Sequence, residues 1–161
     1  MAATPIDPEL RSRIEDFLSD GAQAIDDDEI ERWPFFFTED GFYQIIPRAG
    51  FEAGHPLGIM TCRGRGMMQD RVAALRGANI YEPHTYCHVL ARPVLRRDAD
   101  GTIMARTNFA LYRTMQGGPT ELFAAGSYRD RILCEGEELR LKSRRVVLES
   151  RRVDILIVLP I

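Results

Sequence analysis

Residues 102–149, TIMARTNFALYRTMQGGPTELFAAGSYRDRILCEGEELRLKSRRVVLE, decide the fold. Two turn signals, Gly117-Gly118-Pro119 and the tetrad at 135–138, cut this stretch into strand-like segments at 102–116, 120–134 and 139–149. A fourth segment at about 86–97 precedes them, set off by Asp98-Ala99-Asp100-Gly101, so three successive hairpins are implied. Strands of ten or more residues twist, and they must curl if they are to enclose a core. In 139–149 the apolar positions are odd at Leu139 and Leu141 but even at Val146 and Leu148. A β-bulge produces such a slip, and the expected bend lies at 143–146.

Upstream of the meander the apolar spacing is helical. Leu10, Ile14, Phe17, Leu18 and Ile25 follow Pro8 and predict an amphipathic helix over 8–26. Asp27 or Asp28 can cap a short second helix, DEIERW, which Pro34 is expected to stop. A turn at Glu39-Asp40-Gly41 and a strand at about 42–46 come next, then a Gly- and Pro-containing connection at 47–58. Met68, Val72 and Leu75 mark a third helix ending near Gly77. Helices first and a meander after is the α+β pattern: a curved, mainly antiparallel sheet forming a cone, with the N-terminal helices packed on it. At 161 residues a single domain, 1–161, is expected.

Composition narrows the functional classes. Hydrophobic residues make up 45% and charged residues 28%, with no apolar run near the roughly 20 residues that span a bilayer. The expectation is no membrane and, since nothing marks the N-terminus for export, a cytoplasmic protein. The three cysteines, Cys62, Cys87 and Cys134, are far apart and read as reduced core fillers. The net charge of −3 conceals an asymmetry: residues 1–40 hold 12 acids against 3 bases, whereas 140–152 hold six bases against Glu149. No recognition helix accompanies this basic strand, so no nucleic acid is expected; a solvated sheet face, or one facing an acidic partner or the acidic helices, is the better reading.

The candidate chemistry lies in NIYEPHTYCHVL, 79–90. His84 and His88 would share a helix face, as in zinc sites, but Pro83, Thr85, Tyr86 and Val89 favour extended chain, where four residues span about 13 Å, too far for one ion. The C-x-H and C-x-x-H pairs of a Rieske cluster do not occur, and nothing in the spacing around His55 supports an iron triad. A Cys87–His88 nucleophile fails because strand neighbours point to opposite faces. His84, Tyr86 and His88 do alternate onto one face, where a curved sheet could aim them inward with Asp70 or Tyr81 as an acid–base group. The competing reading makes Tyr86 and His88 hydrogen-bonded core or interface residues. GRGMMQ lacks the third glycine of a dinucleotide loop, Arg65 and Arg71 are expected to pair with carboxylates such as Asp70 or Glu82, and RWPFFF reads as a core plug.

Several elements in order resemble one family. Glu29-Ile30-Glu31-Arg32-Trp33 leads through Pro34 and three phenylalanines to Thr38, Asp40-Gly41 and Tyr43; the helix from Met67 through Asp70-Arg71-Val72 to Leu75 follows; Tyr81, His84 and His88 then enter the first long strand, and Leu159-Pro160-Ile161 closes the chain. Over 10–161 this resembles the small (β) subunits of bacterial aromatic-ring-hydroxylating dioxygenases, nearest to the salicylate 5-hydroxylase, terephthalate and anthranilate dioxygenase type. The resemblance implies a cone of the nuclear-transport-factor-2-like, cystatin-like kind and a non-catalytic structural role in aromatic-acid degradation. It implies no cofactor or metal here: the Rieske [2Fe-2S] cluster and mononuclear iron are expected in a large (α) subunit, which electron-transfer components contact. An α3β3 hexamer, or a β trimer alone, is implied, with Trp33, Arg71, Tyr81 and His88 as structural or subunit-contact residues. Cys87-His88 stands where many members carry Arg-His. The alternatives are a stand-alone isomerase or dehydratase using His84, His88, Tyr81 or Asp70, and a small-molecule-binding module; an open apolar pocket would mark either.

Overall fold

The computed structural model describes residues 5–77, 82–150 and 159–161. Helix α1, Pro8–Asp26, begins where sequence patterning places it, with Pro8 in the first turn and the Asp7 carboxylate accepting from the Leu10 N–H at 3.3 Å. Its buried stripe is Ile14, Leu18, Ala22 and Ile25. A turn through Asp28, at φ 59°, leads to the second helix. That helix is 3₁₀, covers Ile30–Phe36 and runs through Pro34 rather than stopping there. Strand β1, Phe37–Pro47, is followed by α2, Arg48–Glu52, and β2, Met60–Arg63; the last two fall in or just after the stretch expected to be irregular. Helix α3 covers Arg65–Gly77.

The meander forms as expected, with one interruption. The expected first strand is two, β3 (His84–Leu90) and β4 (Val94–Arg97), both antiparallel to β5 (Ile103–Met115). Pro93 between them has no N–H to give the ladder. β6 (Thr120–Glu135) and β7 (Glu138–Leu148) continue the hairpins. The sheet order is β2-β1-β7-β6-β5-β3, with β4 beside β5, and among the described pairings only β1 with β7 is parallel.

Bulges curl this sheet. On β7, Arg131 faces Ser143 but Ile132 faces Leu141, so Lys142 is the extra residue, just before the expected 143–146. It moves the inward set from Leu139 and Leu141 to Arg144, Val146 and Leu148. Phe123 is the extra residue of β6. On β1 the expected turn at 39–41 is a wide bulge: Phe37 and Phe42 are opposed by Leu141 and Ser143. Gly41 permits it, because a Cβ there would lie 2.8 Å from that of Phe37.

Inside the curl lie Ile14, Leu18, Trp33, Phe37, Tyr43, Phe109, Tyr128 and Ile132, joined by Leu159 and Ile161. Gly126 sits where β6 and β7 approach too closely for any side chain: a Cβ would fall 2.0 Å from the Val147 carbonyl oxygen. Gly126→Ala is therefore expected to lower unfolding free energy by about 3 kcal/mol, the upper range for overpacking, as measured by urea denaturation.

Candidate functional site

β3 is an edge strand, so half of its backbone groups lack a sheet partner. Its alternation turns His84, Tyr86 and His88 toward α1 and Thr85, Cys87 and Val89 outward, as the sequence predicts. The partner that the sequence did not reveal is Asp26, the last residue of α1. Its Oδ2 accepts the His88 backbone N–H at 2.9 Å and its Oδ1 lies 2.6 Å from His88 Nδ1. A carboxylate can only accept, so the geometry fits the Nδ1–H tautomer. The His88 side chain is 1% exposed, and its Nε2 has no hydrogen-bond partner among the described residues. Asp26 and His88 are 62 positions apart, so only the packing of α1 over β3 joins them.

The surroundings decide what this pair can do. The Tyr86 ring stands edge-on to His88, with centroids 6.2 Å apart, and stacks on Phe123 at 5.8 Å. An open pocket of about 290 Å³ lies beside Asp26, His84, Tyr86 and Leu159. Among the described residues the interior of the cone is packed with rings. Trp33 meets Tyr43 and Phe37 edge to face at 5.0 and 5.9 Å, and Phe109 stacks on Tyr128 at 4.5 Å. Arg144 lies 4.1 Å above Tyr128 and forms a fork to Asp130, with both bonds at 2.8 Å. The void lined by Phe17, Trp33, Phe37, Leu141 and Arg144 holds about 10 Å³, the room of one water at most.

The end of the chain completes the filling. Tyr43 donates its hydroxyl hydrogen to the Ile161 carbonyl at 3.0 Å and accepts the Ile161 N–H at 2.8 Å, while Leu159 and Ile161 are buried. Burial drives the pKa of the Tyr43 phenol above its usual 10.0, against the Ile161 bond, and burial likewise raises Tyr128, against Arg144. Arg144 is pulled down by burial, but Asp130 outweighs this and the guanidinium stays charged.

Asp70 is exposed on α3, and Tyr81 lies outside the described residues. His55 lies on the outer face of the sheet, near Phe51 and Arg145. Trp33 is buried, and Arg71 is half-buried on α3. The expected pairing of Arg65 and Arg71 with Asp70 or Glu82 does not form: Arg65 donates to the Phe37 carbonyl at 2.6 Å and covers the Phe35 ring, while Arg76 takes Glu31 and Asp28. The aromatic plug is Trp33 and Phe37, with Phe35 half exposed. Cys62 is buried, which raises its thiol pKa, and Cys134 is half-buried; Cys87, expected to fill the core, is exposed. The basic strand is not all solvated either, since the bulge turns Arg144 inward. Among the described residues no three His, Cys, Asp or Glu side chains group as a metal site, and no helix is long and apolar enough to cross a membrane.

This curved sheet with helices across its mouth is the fold of the SnoaL-like domain, whose family model matches residues 8–145. The chain is 39% identical over 137 residues, 85% of each partner, to the anthranilate 1,2-dioxygenase small subunit of Burkholderia cepacia. It is also 39% identical to a β subunit of the terephthalate 1,2-dioxygenase terminal oxygenase component of Comamonas sp., over 87% of this chain and 91% of that one. A crystal structure assigned as the β subunit of an aromatic-ring-hydroxylating dioxygenase from Novosphingobium aromaticivorans superposes with a TM-score of 0.82 at 35% identity, covering 91% of this chain and 93% of its own. The chain belongs to the β, or small, subunits of the bacterial aromatic-ring-hydroxylating dioxygenases.

Two outcomes follow for the interior. Asp26→Ala removes the acceptor of both His88 bonds and is expected to cost about 1.5–3 kcal/mol in urea unfolding. In alkaline difference spectroscopy at least two of the five tyrosines, Tyr43 and Tyr128, stay un-ionised while the chain is folded. Their phenol pKa values are raised on folding, so the stability they confer is complete below pH 10 and is lost as pH rises above it.

Proposed function

We propose that this chain is the structural half of an oxygenase that acts on a single-ring aromatic acid, and that it contributes packing surface and no reacting group. The supporting observation is the filled cone. Among the described residues the interior void lined by Phe17, Trp33, Phe37, Leu141 and Arg144 holds about 10 Å³, too little for a substrate ring, and the Asp26–His88 pair lies outside it, with Asp26 bordering an open pocket of about 290 Å³. In this reading Asp26–His88 ties helix to edge strand, and Trp33 holds the floor of the cone. Arg71 and Tyr81 would serve the structure or its contacts. The large subunit would carry the Rieske cluster and mononuclear iron, in an α3β3 assembly built on this chain as one domain. The substrate class follows the relatives, whose names give anthranilate, terephthalate and 2-aminobenzenesulfonate, each a single-ring aromatic acid.

Co-expression with a dioxygenase large subunit encoded by a neighbouring gene, where one is found, tests the assignment. The two chains are expected to co-purify at the mass of a hexamer, with all iron in the large subunit. Asp26→Asn is expected to lower the melting temperature of the complex while leaving kcat within about twofold. A small subunit that stays monomeric and never co-purifies would sink the assignment; a kcat loss of 100-fold or more in a folded Asp26→Asn complex would restore the acid–base reading.

A further inference from the structure

The outer face of the sheet carries an arrangement of charge that the fold does not need. Cross-strand register places Arg106 of β5 opposite Arg129 of β6, and Arg129 opposite Arg145 of β7. All three belong to the outward set, since Ala105, Thr107, Tyr128, Asp130, Arg144 and Val146 are buried on the other side. Like charges directly opposite one another destabilise a sheet. None of the three forms an ion pair among the described residues, although Arg131, one outward position along, binds Asp98 and Asp100. The carboxylates that neighbour Arg129, Glu52 and Glu149, are both held by Arg48. Burial, then Arg106 and Arg48, lowers the pKa of Arg129.

The row continues into a cleft of about 360 Å³ on the same face. Its floor is Phe42, with the guanidinium of Arg63 at 5.2 Å and that of Arg145 at 5.1 Å from the ring, while Arg129 lies 5.4 Å from Phe51. Arg63 also has no carboxylate partner among the described residues. Apolar side chains flank the arginines: Val94, opposite Arg106, is 71% exposed, and Leu57, beside the cleft loop, 77%. Arginine with aromatic and apolar neighbours is the composition of protein interfaces, where hot spots form, rather than of a solvated face.

We propose that the row Arg106-Arg129-Arg145, with Arg63 over Phe42, is the docking surface for a carboxylate-bearing face of the large subunit. This rests on the assembly reading above. Carboxylates inserted between the arginines would remove the like-charge repulsion and form forked bonds to guanidinium groups, those of Arg63, Arg129 and Arg145 already lying over rings. A second copy pairing face to face would bring arginine against arginine, a head-to-tail copy would offer helix-end acids of which Asp20, Glu29, Asp28 and Glu31 are already held by Arg32 and Arg76, and the chain as a whole is acidic, at −3, unlike a nucleic-acid binder.

The test uses Arg106→Glu/Arg145→Glu in the full chain, titrated against the large subunit by calorimetry at 50 and 300 mM NaCl. Wild-type affinity is expected to fall with salt, and the double variant to bind at least 30-fold more weakly. The charge-matched control Arg13→Glu/Arg92→Glu, near the far end of α1, is expected to bind within threefold of wild type. The isolated double variant should melt about 1–3 °C higher than wild type, because each new glutamate faces Arg129. Arg106→Gln/Arg145→Gln, which only removes charge, should fall between in affinity. Wild-type affinity in either double variant of the row overturns the inference and leaves the assembly reading standing. So does a salt-sensitive self-association, or a gel shift with duplex DNA, that the variant abolishes while the large subunit still binds. If the wild-type chain does not bind the large subunit, the assembly reading falls and takes the inference with it.

Discussion

One inserted residue, Lys142, sets the two faces of this protein. Without it, β7 would continue the alternation of Leu139 and Leu141, placing Arg145 and Val147 inward and Arg144 outward. With it, Arg144 enters the cone, and Val146 and Leu148 follow into the core. A buried guanidinium is tolerable only with its charge matched and its donors used. Asp130, fully buried and opposite Arg144 in the ladder, supplies both oxygens, and the Tyr128 ring covers the remaining face. Removing Asp130 would leave an uncompensated buried charge, a loss of about 3–5 kcal/mol. The same shift brings Arg145 out beside Arg129, so the interior ion pair and the exterior arginine row have one cause.

The filled cone and the helix–strand clasp also belong together. An edge strand held only by β5 is open to slippage and to unwanted pairing. Asp26 accepts the N–H of His88 where the next strand would have done so, and it holds the ring that packs against Tyr86. In a hollow cone such a carboxylate–imidazole pair could serve acid–base chemistry. Here the Trp33–Phe37–Tyr43 cluster and Ile161 pack the interior of the cone. In the reading proposed above, that packing leaves Asp26–His88 as a clasp between helix and strand.

Much of this was legible in the sequence where signals are local. The periodicity of 8–26, the turn residues at 98–101, 117–119 and 135–138, and the phase slip of β7 each report on backbone geometry within a few residues. β2 was missed because four residues give no period to read, and its pairing with β1 depends on a return loop. The break at 91–93 rested on one proline in an otherwise strand-like run. Asp26 could not be found as the partner of His88, since nothing in an acidic helix end marks which of Asp26, Asp27 and Asp28 turns inward. Arg144 was misread as surface because a bulge displaced by one or two residues reverses the facing of every side chain after it.

The charge asymmetry seen along the chain takes a different meaning in three dimensions. The acids of residues 1–40 are in part spent locally, Glu31 and Asp28 on Arg76 and Asp20 and Glu29 on Arg32, and the Arg76 bond holds the Glu31 carboxyl below its usual range. Arg106, Arg129 and Arg145 form no such ion pairs among the described residues, although Arg131 beside them does. A chain with an acidic helical end and an uncompensated basic sheet face carries a dipole. An acidic surface approaching it is turned away from the helices and toward the sheet before contact, which raises productive encounters and suppresses the wrong orientation. The small cost of keeping like charges in register is thus exchanged for orientation, a gain that appears only in a protein built to work in an assembly.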